Sequence, residues 1–431
     1  MAAETTGSTH ESDGGRTAVV LVHGMGERRP MDTLVDFVRT ALRPRGNRDD
    51  PKWDYYYPRP AVITDTYEAR RFVAKGEPIQ GEAEIFEYHW SFLMTAPRSA
   101  GAMAMALRIL LRRPSNVPDP LFGIWRRVWR VIIAILLTVP ALFVVGYLLD
   151  TDVPHWFVGL IGSAVILIFW FGLFRMFGRL LVNRVTRSLV DVARYLDNTP
   201  QSYEARRAIR RGLVDLLRAL HDGRYSRILV VAHGVGTYIA YDALMAFWSE
   251  IYEQHADARR SAWRTTDFIT VGSPLALADL LVTRPGLVSG FKKTDHTERR
   301  QVFDELVQRG ALLSCPPRPD TLPVESDESP RAAEVLDSQS LFAVTRWTNL
   351  WFPVIRGELR GDWFGGALRP LFGQGIQDIA VQGNTPERLK RGSAHTEYFA
   401  HPEKGDEGDI AWHMRKTLGL QTRTDSAAVL H

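Results

Sequence analysis

The sequence predicts an α/β fold with a mostly parallel central sheet, flanking helices and an inserted two-helix transmembrane hairpin. Short apolar, strand-like runs alternate with helical patterns along the chain, the order that produces a parallel sheet wrapped by helices. Two charge-free apolar runs, Val131–Leu149 and Trp156–Phe174, stand together in the middle, with arginines on their outer flanks. A length of 431 residues exceeds one average domain but suits a single α/β core carrying insertions. Charged residues at 24% and hydrophobic residues at 45% are globular averages, so neither whole-chain disorder nor a polytopic transporter fits.

Residues 1–16 are polar, with neither a basic start nor an apolar stretch, and are expected to be a disordered tail rather than a secretory signal. The first part of the α/β domain, 17–107, opens with the strand Thr17–Val22. It continues through HGMGE into a helical pattern over Met31–Leu42 and includes a strand at Ala83–Tyr88. The basic-flanked hairpin occupies 108–187, with spans expected over about 128–149 and 156–177. The rest of the domain runs over 188–403. Leu180–His221 has the pattern of a long, arginine-rich amphipathic helix broken near Asn198–Pro200. The strand Arg227–Ala232, a helix from about Thr237 and the strand Asp267–Leu275 follow. The stretch 281–340, rich in Pro, Ser and charge, is expected to be a variable loop or lid with short helices. Late strands at Arg346–Trp351 and Asp378–Val381 complete the sheet, and a short helix at Ile410–Leu418 sits in the C-terminal tail, 404–431.

Each apolar run is long enough, at about 1.5 Å per helical residue, to cover a hydrocarbon layer about 30 Å thick. Neither run has a polar face, which a soluble helix of this length seldom lacks. The connecting segment Asp150–His155 is acidic. Arg108, Arg112, Arg113, Arg126, Arg127 and Arg130 precede the hairpin, and Arg175, Arg179, Arg184 and Arg187 follow it. By the positive-inside rule the tip faces outward, and the rest of the chain, with both termini, stays on the cytoplasmic side of the cytoplasmic membrane. Trp125, Trp129 and Trp156 fall near the expected interfaces. The lipid bilayer is therefore the first expected partner.

The segment Ile228–Tyr241, ILVVAHGVGTYIAY, runs an apolar strand through small-His-X-X-small directly into a helix. That is the shape of a nucleophile elbow, a sharp turn that lifts its central residue above the sheet. Ala232 and Gly236 are the small residues that let backbones pass, His233 precedes the centre, and the centre itself is Gly234. A nucleotide-binding turn is the competing interpretation, but there is neither a Walker lysine nor a full GxGxxG.

With these residues in view, the chain resembles the membrane-associated branch of the serine esterase and lipase-like α/β-hydrolases. The matching segments are LVHGMGE (Leu21–Glu27), EIFEYHWS (Glu84–Ser91), VVAHGVGTYIAYDAL (Val230–Leu244), TVGSPL (Thr270–Leu275), RWTNLWFP (Arg346–Pro353), GDWFGG (Gly361–Gly366) and SAHTEYF (Ser393–Phe399). They cover most of the soluble chain in the family's order. The resemblance implies an α/β-hydrolase fold, Gly234 at the nucleophile position, Asp362 as the acid and His395 as the general base. Asp378 and Glu358 rival Asp362, and His401 rivals His395. It also implies an oxyanion hole from the backbone N–H groups of Met25 and Val235, with His23, Gly24, His233 and Gly236 shaping the loop and elbow. The departure is the hydroxyl: glycine has nothing to acylate, so ordinary acyl-enzyme chemistry is excluded.

The expected function is that of a membrane-anchored hydrolase scaffold for carboxylic esters, lipid esters among them, with absent or residual activity; the alternative is a pseudoenzyme that binds a lipid, an acyl ligand or a partner protein. The formal net charge of +4 comes without a stacking-aromatic or zinc pattern, so no nucleic-acid partner is expected. The histidines lack metal-ligand spacing, so no metal is expected, and no cofactor motif is present. The single cysteine, Cys315, excludes an intramolecular disulfide. Oligomeric state leaves no signal in the sequence.

Overall fold

The fold was analysed in a computed structural model. It describes residues 16–24, 30–41, 56–64, 67–74, 83–94, 109, 111–148, 160, 162, 164, 167, 168, 171, 192–197, 199–223, 225–254, 263–282, 289–317, 339–354, 360–381, 394–399 and 409–420. The expected tails, apart from the C-terminal helix, lie outside these residues.

The strands are β1 (Arg16–Val22), β2 (Tyr56–Thr64), β3 (Tyr67–Ala74), β4 (Ala83–Tyr88), β5 (Tyr225–His233), β6 (Thr265–Val271), β7 (Arg346–Trp351) and β8 (Gln377–Ala380). The principal helices are α1 (Asp32–Ala41), α2 (Asp119–Leu148), α3 (Pro200–Asp222), α4 (Gly236–Gln254), α5 (Ala278–Val282), α6 (Asp295–Gln308) and α7 (Ile410–Leu418). One sheet of eight strands has the order β2-β3-β4-β1-β5-β6-β7-β8. From β4 to β8 every pairing is parallel, whereas β2 and β3 add an antiparallel edge.

The central strands are apolar on both faces because helices cover both. Val20, Val22, Val230 and Ala232 point into one core with the helices α3 and α4. Val19, Leu21, Leu229 and Val231, one residue out of phase, point into the other with α1 and α7. Fully burying one such valine or leucine contributes about 1.5–3 kcal/mol. In α7, Asp409 caps the first turn and Gly419 closes the last in the left-handed region, as its sequence pattern suggests.

Four sequence expectations need correction. The β2–β3 hairpin has no counterpart in the sequence reading, because Pro58 and Pro60 argue against a strand; β2 is the edge strand, where a missing N–H is tolerated. The strand expected over Asp267–Leu275 stops at Val271, where Gly272 turns at φ +55 and Ser273 caps a 3-10 turn over Pro274–Leu277. The stretch 281–340, expected as a variable loop or lid with short helices, carries the 14-residue α6, which places Phe303 and Val307 in the core, while 318–338 lie outside the described residues. At the base of the proposed hairpin, Trp125 is buried rather than interfacial, donating to Ile109 O at 3.2 Å. Arg112 is likewise buried beside it, paired with Asp295.

The first apolar run forms the second half of α2. Six positions of the second run are described, and all are helical; the connecting segment and most of the later basic flank lie outside the described residues. Among the described residues no helix is long and apolar enough to cross a membrane.

Candidate active site

The site lies where parallel α/β sheets usually place one, at the C-terminal ends of the strands. There β5 turns into α4 through Gly234, whose φ of +54 is a conformation that glycine adopts without strain. Gly234 N–H donates to Val271 O at 3.1 Å, and Thr237 Oγ1 donates to Gly234 O at 2.7 Å, so the turn is fixed on both sides. Two of the expected supporting glycines are sites of close approach. A Cβ on Gly236 would stand 2.5 Å from Val22 O, and one on Gly24 would stand 2.9 Å from His233 Nδ1.

His395 reaches this turn from a loop distant in sequence. A Cβ built on Gly234 would lie 3.1 Å from His395 Nε2. The opposite ring nitrogen, Nδ1, is 3.0 and 3.1 Å from the two carboxylate oxygens of Asp362. A carboxylate can only accept, so Nδ1 donates to Asp362 and Nε2 is the ring nitrogen directed at the elbow. The chain therefore brings Asp362, His395 and Gly234 together in a row, with no hydroxyl at the last.

Asp362 is fully buried. Burial drives its carboxyl upward, but His395, the Phe364 N–H at 2.8 Å and the Tyr398 hydroxyl at 2.7 Å outweigh burial and hold it at about 2. It is an anion at neutral pH. Burial and the adjacent Asp362 charge push the Tyr398 phenol well above its ordinary range, so Tyr398 is the donor in that bond. The same hydroxyl accepts from Phe352 N–H at 3.0 Å, tying the end of β7 to the acid.

His233 is 2.9 Å from His395 O through Nε2, so the residue before the elbow holds the backbone of the base. His23 stacks on Trp90 at 5.4 Å, and Trp90 Nε1 donates to His23 O at 3.0 Å, which fixes the end of β1. Val235 is the first residue past the elbow and precedes α4, where the partial positive charge of a helix N-terminus favours an anion. Met25, the other expected oxyanion donor, lies outside the described residues.

The rivals separate as follows. Asp378 accepts from the Leu368 and Arg369 N–H groups at 3.0 and 2.8 Å and from Asn349 at 2.8 Å, so it braces a turn away from His395. Glu358 and His401 lie outside the described residues. Ser273 and Thr237 are fully buried and bonded to each other at 2.9 Å, so neither replaces the missing nucleophile. Tyr398 is the site residue that sequence reasoning did not single out; only its place three residues after His395 marked it. Among the described residues no group of His, Cys, Asp and Glu side chains could hold a metal ion.

Comparison with known proteins adds no identity: no family model matches the chain, and neither a curated protein nor a solved structure matches it significantly.

Proposed function

We propose that the chain is a membrane-anchored α/β-hydrolase-like protein, related to serine esterases and lipases that act on carboxylic esters, with glycine at the nucleophile position. One observation carries this reading: His395 Nε2 lies 3.1 Å from the point where a side chain would leave Gly234, with Asp362 behind the ring. The imidazole would take a nucleophile's proton, and the carboxylate would hold its tautomer and stabilise the cation. Without the hydroxyl, remaining turnover has to use water as nucleophile. Loss of a triad serine costs on the order of 10⁶ in turnover.

The membrane part rests on α2 and the helical positions after it. Apolar side chains there stand in the open, from Ile133 at 46% exposure to Ile168 at 71%. Insertion would remove that surface from water at about 25 cal/mol per Å². The arginine flanks set the tip outward and keep the α/β domain on the cytoplasmic face. The expected result is a chain that stays with the membrane fraction through an alkaline carbonate wash; release into the supernatant refutes the anchor.

The catalytic reading is tested with Gly234→Ser. The variant is expected to hydrolyse short- and medium-chain aryl esters, to gain at least about 10³ in rate over the parent and to label with a fluorophosphonate. If the folded variant neither labels nor turns over, Asp362 and His395 are not a working pair. The alternative, a pseudoenzyme that binds an acyl ligand without turnover, then takes precedence.

A further inference from the structure

A cavity of about 260 Å³ opens between α3 and α4. Its floor is aromatic and aliphatic, from Tyr238, Tyr241, Leu275 and Phe372, all of them buried. The phenol groups are turned to other work. Tyr241 OH donates to Leu313 O at 2.8 Å and accepts from Leu313 N–H at 2.6 Å. Tyr238 OH points to Pro274 O at 3.5 Å. The floor thus offers ring faces and methyl groups, with its hydrogen-bonding groups directed elsewhere.

The rim is basic. Arg206, Arg207 and Arg210 lie on the turn of α3 that borders the cavity, and Asp242 is the one acid among the described lining residues. Asp242 engages Arg210 at 3.8 Å and accepts from Tyr195 OH at 3.3 Å. Arg206 lies over the Tyr203 ring at 5.6 Å, which orients its guanidinium without neutralising it. Three guanidinium groups thus meet a single carboxylate around an apolar floor. That polarity disfavours a cationic ligand. Guanidinium forks favour carboxylate and phosphate oxygens in bidentate geometry.

A third observation concerns position. Tyr195 and Leu196, which form one wall, belong to the first described segment after the apolar runs. The cavity thus includes residues that follow the apolar runs in the sequence.

We infer that this cavity is a binding site for an anionic amphiphile, a carboxylate or phosphate monoester head held by Arg206, Arg207 and Arg210 with its aliphatic tail on the Tyr238, Leu275 and Phe372 floor. The site is separate from the His395 cluster and stands whether or not Gly234→Ser turns over.

Titration calorimetry of the full chain in a non-ionic detergent provides the test, with hexyl phosphate and octanoate as probes, and hexanol and inorganic phosphate as comparisons. Both amphiphiles are expected to bind and to compete with each other, with hexanol and inorganic phosphate each at least about tenfold weaker. The double variant Arg206→Gln/Arg210→Gln is expected to weaken both amphiphiles at least about tenfold. Arg211→Gln, an exposed arginine on the same helix outside the cavity, is expected to leave them unchanged. Thermal unfolding of each variant establishes that it is folded. If a folded double variant binds hexyl phosphate as tightly as the parent, the inference is overturned. Hexanol binding as tightly as hexyl phosphate would make the cavity merely apolar, and inorganic phosphate matching hexyl phosphate would make it a free-phosphate site; either result also overturns the inference.

Discussion

A buried carboxylate stands at each end of the parallel strands, and the two differ in their partners. Near the N-terminal ends of the strands, Asp267 accepts from Arg227 at 2.9 Å, from Arg346 at 2.7 Å and from Thr266 at 2.7 Å. Beyond the C-terminal ends, Asp362 accepts from His395, Phe364 N–H and Tyr398. Burial raises both carboxyls, and in both cases the hydrogen bonds reverse it and leave the group below its usual range. A cleft of about 500 Å³ lies beside Asp267, lined by Arg227 and Arg346. Those arginines are already paired with Asp267, and a guanidinium offers only N–H donors, so that end has charge but no proton acceptor. Burial and a lowered carboxyl therefore do not distinguish a reactive site from a structural ion pair. A partner that can both give and take a proton does, and only Asp362 has one.

The largest expected effect separates the two carboxylates by chemistry. In the Gly234→Ser chain, Asp362→Asn is expected to cost about 10⁴ in kcat, because the amide no longer fixes the tautomer or stabilises the imidazolium. Asp267→Asn in the same chain is expected to leave kcat within about threefold, since no reacting group touches it. Equal losses in steady-state hydrolysis by the two variants would erase the distinction.

A smaller effect separates them by stability. Asp362 is held at about 2 in the folded chain, against 3.8 ordinarily. A depressed carboxyl contributes stability that is fully present above pH about 4 and is lost as pH falls through about 2. The contribution is on the order of 2 kcal/mol. Urea unfolding between pH 2 and 5 is expected to show this slope in the parent and a shallower one in Asp362→Asn; parallel curves would mean that the buried acid is not held as an anion. Asp267→Asn at neutral pH is expected to cost about 1–2 kcal/mol. The cost is limited because Arg346, at 60% side-chain exposure, regains water when its partner is lost. A midpoint unchanged in urea would mean that this pair contributes nothing measurable.

Much of the Asp362–His395 end was legible in the sequence, and the limits have physical causes. The elbow showed itself because a strand, a turn and a helix are contiguous and each leaves its own period. Asp362 and His395 carried a local motif each, but nothing in sequence distance says that they meet; chain order and resemblance supplied the pairing. Asp378 remained a rival because an aspartate bracing the backbone N–H groups of Leu368 and Arg369 has no sequence signature. The edge hairpin was hidden by Pro58 and Pro60, which are acceptable only because β2 pairs on one side. The end of β6 was overrun because the apolar pattern resumes at Pro274 and Leu275 after only Gly272 and Ser273.

Tyr398 offers the finest test of how Asp362 is held, because its hydroxyl bonds Asp362 without touching the ring nitrogen that faces Gly234. It is a positioning residue. Tyr398→Phe removes a donor at 2.7 Å from a buried anion and leaves the Phe352 N–H without its 3.0 Å acceptor. The stability cost is expected to be about 1–2 kcal/mol. A purely structural role would stop there. If the hydroxyl also holds Asp362 down, its loss moves the acid-unfolding window upward toward the ordinary carboxylate range. In the Gly234→Ser chain it would lower kcat by about tenfold or less, with KM unchanged. Restoring a donor with Tyr398→His tests whether the bond, rather than the ring, is responsible. A Tyr398→Phe chain that loses stability but keeps both the acid window and kcat would assign Tyr398 to packing and leave His395 as the partner that sets the chemistry.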